Sequence, residues 1–210
     1  MIGCIDMFRE RKSLRDRVKE AVSPKPIRQR LTETMHKLQL QLRRLERAAA
    51  ELETRDRTLY DKCISAVRQN DVSRAKMYAE ECAQIRKIAK VSLNSQFALE
   101  KVVLRLEDVR DFGDIAHTMT PLRNVVGTIR AELANVMPDV SLKLAEVDES
   151  LSSMVLDIGE ATGVASTTDQ PTEEGSKILA EAAALAEHHV KERFPDLPTA
   201  SREDTVFKPL

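Results

Sequence analysis

A stripe of apolar and small residues, stepping alternately by four and three, runs through the first long segment of the chain. It comprises Leu31, Met35, Leu38, Leu42, Leu45, Ala49, Leu52, Leu59, Cys63 and Ala66, with Asp56 as its one polar interruption. That is the period of a coiled-coil seam. No Pro or Gly stands between Ile27 and Gln69, so the spacing predicts a single helix there, roughly 60 Å long at ~1.5 Å per residue. A helix of that length must lie along a second helix, a neighbouring subunit or a membrane. The seam by itself does not separate pairing within one chain from pairing between chains.

The remaining pattern is helical as well. Charged residues make up 32% of the 210, aromatics 3%, with six Gly and no Trp. An α/β enzyme of this size uses more Gly-rich turns and a more aromatic core, and no alternating strand pattern is present. The segment "QNDVS" (69–73) reads as a short turn in which Asp71 or Ser73 caps a second helix. That helix is expected to reach about Arg110, with Tyr78, Cys82, Ile85 and Ala89, then Leu99, Val102, Leu106 and Val109, on its seam. A short turn between two seam-bearing helices makes an antiparallel hairpin, about 27–110.

Shorter helices are expected over about 114–159. Gly113 in "DFGD" lowers helix propensity and is a candidate hinge. Thr120 is expected to cap a helix that Pro121 starts, carrying Leu122, Val125, Val126, Ile129, Leu133 and Val136. Pro138 interrupts it, Asp139 or Ser141 caps the next, and Gly159 or Gly163 stops that one; Pro121 and Pro138 are the other candidate hinges. Its apolar face is Leu144, Val147, Leu151, Met154, Val155 and Ile158. The fold class is therefore all-α, with a core over 26–160, a polar linker over 161–171, a final amphipathic helix over 172–194 and a proline-bearing tail over 195–210. That last helix shows Ile178, Ala182, Leu185, Ala186 and Val190 on one side.

The net charge of −1 hides a gradient. Residues 1–50 hold 13 Lys and Arg against 6 Asp and Glu, a balance of +7, whereas residues 151–210 hold 5 against 11, a balance of −6. A basic beginning and an acidic end attract each other, within a chain or between chains. Residues 1–25 form a separate head. Ile2, Ile5 and Phe8 recur at helical spacing and lead into a basic run with Arg9, Arg11, Lys12, Arg15, Arg17 and Lys19. Apolar side chains to insert and cations to meet anionic headgroups are what an interfacial membrane contact needs. A frayed basic terminus is the plainer alternative. Gly3 stands one position too late for myristoylation.

No phosphate loop, nucleophile elbow, zinc helix or dinucleotide fingerprint occurs. His188 and His189 are adjacent on a helix and diverge by about 100°. Cys4, Cys63 and Cys82 show no zinc or disulfide spacing, and the latter two sit on seams as core residues. The reading is a non-enzymatic protein without cofactor or metal. With no signal peptide and no span of ~20 apolar residues, it is expected to be cytoplasmic, either free or peripheral on the cytoplasmic face of a membrane.

The order of these elements resembles the ESCRT-III subunits. "QNDVSRAKMYAEECAQIRK" (69–87) is similar to the hairpin turn of archaeal CdvB-type cell-division proteins, as are "ALEKVVLRLE" (98–107) and "MTPLRNVVGTIR" (119–130). The resemblance covers about residues 27–195. It implies a filament-forming, membrane-remodelling subunit that assembles with itself and with paralogous subunits. It also implies a closed form, in which the acidic C-terminal part folds back on the basic hairpin. The tail segment "FPDLP" is similar to the proline-rich motif that engages the MIT domain of an AAA ATPase, with Phe194 and Leu197 as anchors and Pro195 and Pro198 holding the shape. Neither anchor has an evident core to join once Pro195 ends the helix. A helical register from Glu187 to Leu197 also resembles the alternative motif of that family, although Pro195 departs from it. The rival readings are a cytosolic coiled-coil adaptor and a nucleic-acid-associated rod; five Phe and two Tyr are few for base stacking.

Overall fold

The computed structural model describes residues 26–112, 115–162 and 172–197, which form helices and no strand. These are α1 (Ile27–Arg68), α2 (Val72–Phe112), α3 (Ile115–Leu133), α4 (Pro138–Thr162) and α5 (Glu173–Arg193). Helices α1 and α2 pair in antiparallel fashion, so the seam is satisfied within one chain. The Cys63 thiol meets the Ala75 carbonyl near the turn, at 3.4 Å, and Arg86 meets Asp56 further along.

The turn is chemically specified. Asn70 takes the left-handed conformation (φ 55°), which Asn tolerates better than most residues. This aims the Asp71 N–H at the Ala66 carbonyl (2.9 Å) and the Asn70 N–H at the Val67 carbonyl (3.0 Å), closing α1 in a Schellman motif. Asp71 then caps α2, accepting from the Arg74 N–H at 3.1 Å.

The hairpin has two unlike halves. Its open end is built into a helical body. Leu31, Leu38 and Leu45 of α1, Leu99 and Leu106 of α2, Leu122 and Ile129 of α3, and Leu144 and Leu151 of α4 are all buried in one cluster. Burial of each contributes roughly 1.5–3 kcal/mol. Helix α3 returns along α2 until Asn94 donates to Glu132 (3.2 Å) and Ser92 faces Met137 (3.8 Å). Helix α4 then runs back along α1, where Lys37 pairs with Glu146 and Arg30 with Asp157. Beyond that point α1 and α2 project as a two-helix arm. Its interior is Cys63, Ala66, Ala75, Cys82, Ile85 and Ala89, all buried and separate from the body cluster.

Several local expectations need correction. Helix α3 does not start at Pro121 but six residues earlier, with Pro121 inside it. Thr120 caps nothing, since its buried hydroxyl has no partner among the described residues. A proline inside a helix costs about 3 kcal/mol, and burial of Met119 and Leu122 on either side offsets it. Pro138 is the first residue of α4, a position where its missing N–H is no loss. Ser141 caps nothing either: its hydroxyl donates to the Arg130 carbonyl at 2.9 Å and ties α4 to α3. Val136 lies in the turn after α3, and Gly159 does not stop α4. Gly113 lies outside the described residues.

Candidate interaction site

Helix α5 lies antiparallel along α2 and ends on the arm. Thr172 opens it, its hydroxyl accepting the Gly175 N–H at 3.2 Å. Gly175 is buried because α5 meets α3 there: a Cβ would stand 3.1 Å from the Thr172 hydroxyl and 3.4 Å from the Pro121 carbonyl. Acidic residues of α5 then meet bases of α2 in sequence. Glu174 pairs with Arg105 (3.6 Å), Glu181 with Lys101, and Glu187 with Lys90 (3.7 Å). These pairs tie α5 to α2, whereas Arg30 with Asp157 joins the basic first fifty residues to the acidic end. Ile178, Ala182 and Ala186 form the buried edge, whereas Leu185 is 47% exposed and points away, contrary to the helical-face reading. His188 pairs outward with Glu192, while the His189 ring sets its edge against Phe97 at 5.3 Å.

The end of α5 corrects the reading that Phe194 lacks a core. Its ring is only 6% exposed. The Arg86 guanidinium stands 5.6 Å from its centroid, within cation–π range. Arg86 is itself held by Asp56, donating through Nε to Oδ1 (2.9 Å) and through Nη2 to Oδ2 (3.0 Å). Such a fork fixes the guanidinium plane as well as its position. Asp56 is 1% exposed, so the polar gap in the heptad series is a buried, bidentate ion pair. Arg193 adds a bond to Glu53 of α1 at 2.9 Å. Burial first, and then the nearby Asp56 carboxylate, push the Cys82 thiol up to about 11, which keeps it protonated and inert near neutrality.

Sequence reasoning missed this cluster, although a signal existed: an acid on an otherwise apolar seam requires a cation from the facing helix. Of the other tail residues, Pro195 is exposed and Leu197 half-buried, and Pro198 lies outside the described residues. So do all the head residues singled out above: Ile2, Ile5, Phe8, Arg9, Arg11, Lys12, Arg15, Arg17 and Lys19. The arm offers a further surface. Arg43, Arg44, Arg47, Arg55, Lys62 and Arg68 are exposed on α1 and fall within an arc of about 140° at 100° per residue, opposite the seam. None forms an ion pair with another described residue. Glu51 and Asp61 are exposed within the same arc, and a shallow groove between Arg47 and Lys62 is lined by Glu51, Thr54, Arg55 and Thr58. No helix among the described residues is long and apolar enough to cross a membrane.

Over 184 residues the chain is 38% identical to Cell division protein B1 of Sulfolobus acidocaldarius, covering 88% of this chain and 86% of that protein. The chain belongs to the CdvB-type cell division protein family. Cell division protein B of the same organism is 32% identical over 171 residues, 80% of this chain and 64% of the relative. No family model matches, and no solved structure does. Within a CdvB-type chain, the features described here read as a helical body, a basic arm and an acidic clasp joining them.

Proposed function

We propose that this chain acts in cell division as a filament-forming, ESCRT-III-like subunit that remodels membrane. On this reading it is a structural component and not a catalyst. Its partners are further copies or paralogous subunits, an anionic membrane surface, and an AAA ATPase whose MIT domain takes the tail. The observation that carries the reading is the likeness to Cell division protein B1 along 88% of the chain. The geometry supports it in two ways. The six exposed bases on α1 face away from the hairpin partner, and lysines or arginines near an anionic surface contribute about 1 kcal/mol each. The acidic α5, folded along the basic hairpin, has the form of a closed subunit that can open.

The head adds insertion to attraction. Sedimentation with anionic vesicles is the test. The full chain should pellet at low salt and be released as salt rises, because a Debye length of ~10 Å at 0.1 M shrinks to ~3 Å at 1 M. Deleting residues 1–22 should weaken pelleting, and replacing Arg43, Arg47 and Arg55 by Glu should weaken it further. A full chain that stays in the supernatant at low salt would sink the membrane reading.

A further inference from the structure

The cluster under Phe194 has the construction of a binding site, with a buried base and an oriented top. Asp56 is sunk in the arm and holds the Nε–Nη2 edge of Arg86, which leaves the guanidinium over the Phe194 ring. The flanking Arg193–Glu53 bond brings the end of α5 onto the opposite helix of the hairpin. Beyond Phe194, Pro195 and Asp196 are exposed and Leu197 is half-buried. The buried arm residues nearest to Arg86 in the chain are Cys82, Ile85 and Ala89.

We propose that the arm carries a dedicated seat for an aromatic side chain, formed by Arg86 on Asp56, and that this seat competes with the ATPase for Phe194. The competition rests on the reading that Phe194 anchors the tail in an MIT domain. One ring cannot be 6% exposed beneath Arg86 and also be buried in a partner's groove. The ATPase therefore captures only chains whose tail has left the arm. The arm reduces the apparent affinity by the fraction of time that the seat is filled. A cation–π contact of this kind corresponds to an equilibrium factor of roughly two to thirty.

The test uses the full chain in two variants. Arg86→Ala empties the seat but leaves Asp56 buried without its cation, which can loosen the arm itself. Asp56→Asn with Arg86→Gln keeps a neutral hydrogen-bonded pair and removes only the cationic platform. Hydrogen exchange reads the seat without any partner. Amides of residues 186–197 should exchange three- to tenfold faster in the paired variant, while those of residues 93–109 in the body stay unchanged. Calorimetry against a purified archaeal MIT domain reads the competition, and the paired variant should bind three- to tenfold more tightly than the wild type. Unchanged exchange in the tail overturns the seat. Faster exchange with equal affinity of wild type and variant overturns the competition. If neither chain binds the MIT domain while tail exchange has accelerated, the ATPase reading has failed and the competition with it, whereas the seat is upheld.

Discussion

Single residues in this chain are informative where they break a pattern. Asp56 breaks the heptad stripe and turns out to be the buried base of an ion pair. Gly127 sits inside α3 with open space around its missing side chain. A methyl group there meets no neighbour and removes backbone freedom from the unfolded chain. Gly127→Ala should therefore stabilise the protein by about 0.5–1 kcal/mol, measured as a shift in the denaturant midpoint at constant slope. Gly175 is the contrast, because a Cβ there would press on the Thr172 hydroxyl at 3.1 Å. The sequence distinguishes neither case: both are glycines in helical surroundings, and only the approach of α5 to α3 separates them. The apolar seams of the body are legible by comparison, whereas Leu52, Leu59 and Tyr78 on the arm are only half-buried. Leu99, Val102, Leu106, Val109, Leu144, Val147, Leu151 and Met154 are all buried as their spacing requires.

Among the elements, α5 docks through a narrow apolar edge and a row of ion pairs. Gly175, Ile178, Ala182 and Ala186 are buried and Leu179 packs against the core, while the pairs along α2 set its register. Glu187 responds to pH in a definite direction. A hydrogen bond from Lys191, then the charges of Lys191 and Lys90, hold its carboxyl below the usual value of 4.5. A carboxylate lowered in the folded state stabilises that state above its ordinary value, and the contribution is lost as pH falls through the folded value. Part of the shift comes from Lys191 on the same helix and survives undocking; the Lys90 part does not. Spin labels at the exposed positions Leu104 and Ala184 should show one distance near neutrality that broadens as pH falls below the ordinary carboxylate range. An unchanged distribution would mean that the apolar edge alone keeps α5 in place. The boundaries of α5 and its Thr172 cap could be read from the sequence, because cap chemistry is local. Its docking partner could not, since acidic faces carry no register of their own. The start of α3 escaped for a related reason: a Pro reads locally as a beginning, and tertiary packing carried the helix across it.

At the scale of the whole molecule, the body is deep and leucine-rich, the arm is a two-helix pair with small residues at its tip, and α5 bridges the two. Truncation after Gly163 removes that bridge along with most of the acidic end. On the reading proposed above, light scattering should show the truncated chain assembling faster than the full one; equal rates would separate α5 from any control over assembly. The sequence predicts the hairpin and its length well, because a heptad seam and a two-sided cap are local signals. It does not show where the body stops and the arm begins. That boundary depends on how far α3 and α4 reach back along the pair, which is a property of the assembled core.

The small side chains of the arm have a mechanical consequence. Near the hairpin tip the buried residues are Cys63, Ala66 and Ala75, and helices packed through such small side chains approach to ~8 Å between axes, against ~10 Å through larger residues. The bending stiffness of two rods coupled side by side falls as their spacing narrows, so the tip bends more easily than a leucine-packed pair of equal length. Load applied at the hairpin tip is therefore absorbed as curvature along the outer half, while the leucine-rich root turns as one rigid block.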